Sequence, residues 1–341
     1  MKALALALLL GSAGGAAFFV LNLPLPWMLG SMTACTVAAL SGMRPAVPRP
    51  LRFTMIAVLG IMLGSAFTPE IVDRVGGWTG TLAGLFAAMA ATSLLVTPYL
   101  RRFGAMDKVT AYFAAAPGGI NEMVLAGGAM GGDERDIALI HALRILLIVF
   151  AVPFGFRLVT GVQGQPMTTA LGSLADLAWS DAAILTACAI GGAFAARVMR
   201  WPAWMLTGPM VASAVPHLMG LTASHPPAEL VIVAQVVTGA GIGSRFAGLG
   251  WKDIGATARV SLGSTAIMLA TSAGAAGALA AATGLPFALL LLAFVPGGIA
   301  EMCLIALALG QDVAFVSTHH VLRVAMVIVA APLAFRWMGR G

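Results

Sequence analysis

Two copies of one short motif carry most of the residues that could do chemistry in this chain. Residues 117–123 read Pro-Gly-Gly-Ile-Asn-Glu-Met, and residues 296–302 read Pro-Gly-Gly-Ile-Ala-Glu-Met, 179 positions later. The alignment continues without a gap to residues 157 and 336, with 17 identities in 41 positions. Each copy therefore places a glutamate, Glu122 or Glu301, three residues after a pair of glycines.

A histidine and an arginine follow each copy at the same spacing. His141 and Arg144 correspond to His320 and Arg323, whereas His319 has no counterpart in the first half. The spacing of three places each pair on one helix face, and the apolar neighbours predict that this face points inward. Arginine suits a carboxylate or another anion, and histidine can carry a proton near neutral pH. The alternative is a structural one, in which each arginine pairs with the glutamate of its own half.

The composition of the chain requires a membrane protein. Hydrophobic residues make up 60% of the chain, charged residues 9%, and the mean hydropathy is +0.97, which is more apolar surface than a soluble domain can bury. Twelve apolar runs, most near the length that crosses a bilayer, do not alternate as barrel strands do. We therefore predict an all-α polytopic membrane protein with runs at about 3–21, 26–42, 53–69, 77–98, 109–130, 137–156, 182–198, 203–219, 228–246, 257–282, 285–309 and 313–335.

The two Pro-Gly-Gly triplets predict a break in their helices. Proline removes an amide donor and glycine weakens a helix, and such a break at membrane depth is tolerated only where protein or a water-filled cavity satisfies the freed groups. Paired breaks at corresponding positions are typical of a transporter's binding site. The alternative is a kinked helix with glycines for close packing. The triplets are Pro117, Gly118 and Gly119, and Pro296, Gly297 and Gly298.

Glu122 and Glu301 belong to the first turn of the helix after each break, where the helix dipole favours a carboxylate. Acids inside a membrane are costly and usually serve an ion, a proton or a substrate. The alternative is a carboxylate that only caps or packs. Asp133 and Asp312, which follow loop glycines, are expected to cap the next helix.

The chain divides into two homologous halves. Residues 1–157 form the first repeat, 158–180 a polar linker, and 181–341 the second repeat. Basic loops follow the second and fourth runs of the first half but the first and third runs of the second half. Because short basic loops face the cytoplasm, the repeats are predicted to be inverted. Each would have about five crossings plus one broken or re-entrant segment, with both termini cytoplasmic, although the linker could instead supply the odd crossing.

Other classes of function find little support in the sequence. Two glutamates and two histidines could in principle hold a metal ion, but no HExxH or CxxC motif is present, and Cys35, Cys188 and Cys303 are scattered. We expect no metal, no cofactor and no catalytic residues. The net charge of +6 fits basic cytoplasmic loops better than a nucleic-acid partner.

The chain resembles the AbrB-type family of bacterial inner-membrane proteins over nearly its whole length. The doubled Pro-Gly-Gly-x-x-Glu-Met motif, the sequence His-His-Val-Leu-Arg at 319–323 and the glycine block at 241–246 carry the resemblance. Asn121 departs from the small residue usual at its position. Members of this family have an internal AbrB duplication and differ from a small DNA-binding protein of the same name. They have been labelled regulators of gene expression, ammonia monooxygenases and transporters.

Together, the residues favour a secondary transporter of a small anion. One half would move against the other around a site in the middle of the membrane, with Glu122 and Glu301 taking a coupling proton or sodium ion. The expected partners are the lipid bilayer and a small anionic metabolite, and the sequence leaves a homo-oligomer open. One alternative is a membrane protein that affects gene expression indirectly or through a partner. Another is an oxidase, which would need bound copper or iron.

Overall fold

The computed structural model describes residues 2–160 and 171–338, and within these ranges the chain forms helices and no strand. Seven of the described helices are long and apolar enough to cross a membrane. They are Lys2–Val20, Gly76–Phe103, Glu134–Val159, Trp179–Val198, Ala228–Phe246, Ile254–Thr283 and Val313–Trp337. The prediction of an all-α polytopic membrane protein is confirmed.

The helices follow the apolar runs of the sequence. Ten runs each form one main helix, and the two runs that contain Pro-Gly-Gly each form two. Residues 161–170 of the predicted linker lie outside the described residues, and its later part contains a short 3-10 helix, Leu174–Asp176. The helices are α1 Lys2–Val20, α2 Pro26–Leu40, α3 Arg49–Gly64, α4 Val72–Val75, α5 Thr79–Phe103, α6 Lys108–Ala115, α7 Ile120–Ala129, α8 Glu134–Thr160, α9 Trp179–Val198, α10 Trp204–Leu218, α11 Ala228–Gly243, α12 Trp251–Thr283, α13 Phe287–Phe294, α14 Ile299–Ala308 and α15 Val313–Met338.

The chain folds into two compact units that do not follow the order of the sequence. Unit 1 consists of Met1–Val75, Val152–Trp251 and Cys303–Ala314. Unit 2 consists of Gly76–Ala151, Lys252–Met302 and Phe315–Gly341. Each unit therefore combines segments from both sequence halves. The division into repeats at 1–157 and 181–341, and their inversion, remain predictions from the sequence.

Glycines bring helices of the two halves together inside unit 1. A Cβ atom added to Gly60 of α3 would lie 2.5 Å from the carbonyl oxygen of Leu206 in α10. A Cβ added to Gly239 of α11 would lie 2.5 Å from the carbonyl oxygen of Met28 in α2. Because only glycine permits such backbone contact, these positions fix how closely the helices pack.

Unit 2 contains both Pro-Gly-Gly breaks and most of the helices next to them. The hydroxyl of Tyr112 in α6 donates to the carbonyl oxygen of Ala331 in α15 at 3.1 Å, and the rings of Tyr112 and Phe335 lie 5.2 Å apart. In the second half, the hydroxyl of Ser272 in α12 donates to the carbonyl oxygen of Phe294 at the end of α13. All twelve candidate site residues predicted from the sequence lie in this unit.

Candidate functional site

Both motifs interrupt their helices. In the first half α6 ends at Ala115 and α7 begins at Ile120, and in the second half α13 ends at Phe294 and α14 begins at Ile299. The intervening backbone is extended, with ψ angles of 130° at Ala116 and 131° at Val295. Each break therefore separates a half-helix of 8 residues from one of 10.

The arginine of each half holds the carbonyl groups that the break releases. The Arg144 guanidinium donates from Nη1 to the oxygen of Ala116 at 3.0 Å and from Nη2 to the oxygen of Gly118 at 3.2 Å. Both Arg144 and Arg323 are almost fully buried. A planar fork of donors can bind two such oxygens at once, which a lysine could not do with the same geometry.

The second half repeats this arrangement at equivalent positions. The Arg323 guanidinium donates to the oxygen of Val295 at 2.8 Å and to the oxygen of Gly297 at 2.7 Å. These oxygens are 179 positions from those that Arg144 binds, so the repeat is reproduced at the level of single hydrogen bonds. The arginines thus have backbone partners that the sequence did not predict.

Each histidine contacts the half-helix before the break. His141 Nε2 lies 2.9 Å from the oxygen of Phe113, and His320 Nε2 lies 2.8 Å from the oxygen of Leu292. A carbonyl oxygen can only accept, so Nε2 carries the hydrogen in each ring. Nδ1 of His141 lies 3.0 Å from Arg144 Nη2 and must accept, which makes this imidazole neutral in the observed arrangement.

The two glycines of each motif make space for two different side chains. A Cβ atom at Gly119 would overlap the carboxylate of Glu122, and one at Gly298 would overlap the carboxylate of Glu301. The preceding glycine faces the methionine of the motif, since a Cβ at Gly118 would lie 3.0 Å from Cγ of Met123. Each half-buried carboxylate therefore folds back over the start of its own half-helix, where the helix dipole stabilises it.

Aspartates cap the helices around the first break. Asp133 Oδ1 accepts from the amides of Arg135 and Asp136 at 2.8 and 3.0 Å, as predicted. Asp312, the counterpart of Asp133 in the second half, accepts from Arg74 Nη1 at 3.3 Å, and its capping of α15 stays a prediction. Asp107, which the sequence analysis did not single out, accepts from the amides of Val109 and Thr110 at the start of α6.

The carboxylate of Asp107 has a lowered pKa. Partial burial raises the pKa of this group, but hydrogen bonds from the Thr110 hydroxyl and from the two amides outweigh that effect. The cap therefore favours the charged carboxylate, as expected at the positive end of a helix.

His319 occupies an aromatic pocket that the sequence analysis missed. Its Nε2 lies 2.9 Å from the Thr81 hydroxyl, and its Nδ1 lies 2.8 Å from the oxygen of Phe315. The rings of Trp78, Phe294 and Phe315 lie 4.0 to 6.3 Å from the imidazole centre. The repeat gives no signal for this residue, because the first half has isoleucine at the equivalent position.

A row of buried hydroxyl groups follows one face of α12 and was also missed. Ser272 at its end bonds to the carbonyl of Phe294, two residues before Pro296. The hydroxyls of Ser261 and Thr265 are buried without a hydrogen bond to another described residue. The members of the row are Ser261, Ser264, Thr265 and Ser272. Their helical spacing of three, four and seven residues is the sequence signal that could have revealed the row.

The described residues contain no group of three or more His, Cys, Asp or Glu side chains arranged to hold a metal ion. Cys35, Cys188 and Cys303 carry free thiols.

Comparison with known proteins gives one family and two relatives. A family model described as "Transition state regulatory protein AbrB" matches residues 27–339. The chain is 26% identical over 353 aligned positions to "Uncharacterized protein YhjN" of Bacillus subtilis, covering 96% of the chain and 91% of that protein. It is 25% identical over 326 positions to "Putative regulator AbrB" of Escherichia coli, covering 94% of the chain and 92% of that protein.

Proposed function

Because the chain belongs to the AbrB family and its described residues form seven helices able to cross a membrane, we propose that it is a secondary transporter of a small anionic metabolite. It would act in the bacterial inner membrane by alternating access, with a site that opens to one side at a time. A coupling proton or sodium ion would drive the transport.

One observation carries this proposal: two helix breaks, each braced by a buried arginine, lie within the same compact unit. Backbone that leaves the helix at membrane depth persists where it lines a cavity or is buried in protein. Half-helices in corresponding positions of two repeats are the usual framework of a transporter site.

The anion would bind at the amides that begin α7 and α14. The N-terminus of a helix presents free N–H groups and a partial positive charge. Two donor groups of Arg144 and of Arg323 already bind backbone oxygens, so these arginines would shape the breaks and add positive potential. Direct contact with the substrate would fall mainly to the amides.

Glu122 and Glu301 would take the coupling ion. Both carboxylates lie beside the breaks and are half-buried, so neutralising them with a proton or a sodium ion would change the charge that the substrate meets. The hydroxyl row on α12 would offer polar groups along a route towards the second break.

The experiment begins with the substrate. The purified protein is screened against metabolite anions by thermal shift, at two pH values and with or without sodium, because a bound ligand raises the melting temperature by mass action. Uptake of the best anion is then measured in proteoliposomes. We expect Glu301→Gln to abolish uptake while the melting temperature stays near that of the wild type.

Glu134→Gln is the matched control, because Glu134 is an exposed carboxylate in the first turn of α8. It should leave uptake unchanged. Normal uptake by the Glu301→Gln protein would remove that carboxylate from the mechanism.

A second candidate is a role in gene expression, which the description of the family and the name of the Escherichia coli relative favour. Such a role would act through transport of a signal or through a partner protein. Expression is compared between cells with the wild type and cells in which both Pro-Gly-Gly motifs are disabled. Effects that survive the loss of both motifs would favour a partner over transport.

A further inference from the structure

Unit 2 contains a cavity of about 460 Å³ between α5, α6 and α15. Its lining follows α6 from Lys108 past Tyr112 to Pro117 at the first break, and it includes Arg101 near the end of α5. The volume is within the range of small-molecule sites, roughly 300–1,000 Å³, whose walls are mostly apolar with a few polar groups.

The cavity opens on an apolar surface. Phe86 and Leu94 line it and are nevertheless 49% and 71% exposed. Both belong to α5, which is among the helices able to cross a membrane. Exposed apolar side chains in such a helix face the hydrocarbon of the bilayer, so the opening is accessible from lipid.

The length of the cavity fits one leaflet of the bilayer. Phe86 and Arg101 are 15 residues apart in α5, which corresponds to about 22 Å along the helix. One leaflet is about 15 Å deep in its hydrocarbon core and about 20–22 Å deep with its headgroup region, half of roughly 30 and 40–45 Å. A chain that enters beside Arg101 would therefore reach the middle of the membrane.

The basic end belongs to the first half alone. Arg101 ends α5 and Lys108 begins α6, both side chains are exposed, and the Lys108 ammonium stands 6.0 Å from the Phe335 ring. The equivalent segment between α12 and α13, residues 280–287, contains no lysine or arginine. Cationic side chains at a membrane surface attract anionic headgroups.

We propose that this cavity binds one acyl chain of an anionic phospholipid, whose headgroup phosphate sits on Arg101 and Lys108. The bound chain would contact Pro117 and so support the first break from the lipid side. The charge at one end and the apolar walls elsewhere together select a lipid over a small soluble anion. This site shares only Pro117 with the candidate residues of the substrate site, so the lipid and the substrate would occupy different places.

Native mass spectrometry of the purified full chain tests the proposal with phosphatidylglycerol and phosphatidylcholine that carry the same acyl chains. We expect phosphatidylglycerol to bind about tenfold more tightly, since each cation near a surface adds to the attraction for an anionic headgroup. Combined Arg101→Ala and Lys108→Ala substitutions should remove this preference. Ala90→Phe, which fills the cavity wall, should weaken binding of both lipids.

Two controls match these variants. Arg102→Ala removes the same charge one residue along, and Ala87→Phe adds the same ring at an exposed position of α5 outside the cavity. Both should bind phosphatidylglycerol as the wild type does.

Three results would overturn the proposal. The first is equal binding of the two lipids in the wild type and all variants. The second is a change of oligomeric state in Ala90→Phe without loss of lipid, because a second copy of the chain would then cover the cavity. The third is displacement of phosphatidylglycerol by inorganic phosphate alone, because the acyl chain would then contribute nothing.

Discussion

At the scale of single residues, Arg144 and Arg323 supply hydrogen bonds to carbonyl oxygens that a helix break leaves without partners. Proline and the extended backbone leave carbonyl oxygens without helical partners, and a buried guanidinium supplies donors in their place. The glycines before each glutamate leave space for its carboxylate and for the methionine that follows. The proline and both glycines of the motif therefore each have a physical reason.

The sequence predicted these residues but not their partners. The repeat identifies Arg144 because it recurs as Arg323, yet it shows only other side chains, such as Glu122, as candidates for pairing. A backbone carbonyl becomes a partner through the break itself, which no residue type reveals. The surroundings of His319 were not predicted, because the repeat marks only residues that occur in both halves and His319 occurs in one.

Replacing Arg144 by lysine should destabilise the protein. Lysine keeps the charge but cannot bind the oxygens of Ala116 and Gly118 with one planar group, so at least one hydrogen bond to a charged donor is lost. We expect the free energy of unfolding to fall by about 2 kcal/mol. Thermal unfolding in detergent measures this, with Arg135→Lys at an exposed position of α8 as the control. Equal melting temperatures would contradict the bracing role.

At the scale of elements, the ends of helices differ from the ends of the apolar runs that predict them. The run at 53–69 corresponds to α3, Arg49–Gly64. This helix begins before the run, because Pro50 in its first turn suits a helix start and Arg52 does not interrupt the helix. The run at 77–98 continues as α5 to Phe103, past Pro98 and two arginines. Hydropathy marks where a helix is buried in lipid, whereas hydrogen bonding decides where it ends.

Close helix packing gives a prediction at neighbouring glycines of α9. A Cβ atom at Gly192 would lie 2.5 Å from the carbonyl oxygen of Gly208 in α10, whereas a Cβ at Gly191 would meet no atom within 4 Å. Gly192→Ala should therefore lower the free energy of unfolding by about 1–3 kcal/mol. Gly191→Ala should be neutral or slightly stabilising, because alanine favours a helix. Thermal unfolding of the two variants compares them, and similar losses would rule out the packing explanation.

The cap of α6 gives a prediction with a pH dependence. Asp107→Ala should cost about 1 kcal/mol at pH 7, because the amides of Val109 and Thr110 lose their acceptor. Since the folded pKa of Asp107 is lowered, the wild type has this contribution above the ordinary pKa near 3.9 and loses it as the pH falls through the folded pKa.

The difference in melting temperature between wild type and Asp107→Ala should thus shrink when the pH is lowered from 7 to about 3. Asp107→Ser is the control, since serine caps without titrating in this range and its difference from Asp107→Ala should persist. A constant gap between wild type and Asp107→Ala at both pH values would assign the stability to another group.

At the scale of the whole molecule, the sequence predicted two halves but not the two units. The repeat is visible as contiguous halves, because duplication copies a stretch of chain. Packing follows complementary surfaces, and it pairs α3 with α10 and α2 with α11 in unit 1. The sequence does not show which helices of the two halves pack together, because this depends on glycine contacts that are visible only in the three-dimensional structure.

Labelling of introduced cysteines tests the inversion predicted for the halves. With Cys35, Cys188 and Cys303 replaced, Ala105→Cys lies beside the basic residues that follow α5, and Ala282→Cys lies at the equivalent end of α12. A membrane-impermeant maleimide should modify Ala282→Cys in intact cells and Ala105→Cys only after lysis. Modification of both in intact cells, or of neither, would show that the two ends share a side.

The glycine contacts of unit 1 also set the order of events during synthesis. Gly60 and Gly64 of α3 rest against backbone of α10, which leaves the ribosome about 140 residues later. At 5–20 residues per second this interval is about 7–28 seconds. Helix α3 must therefore insert and wait in the bilayer with this glycine face covered only by lipid, and folding of both units is completed late in translation.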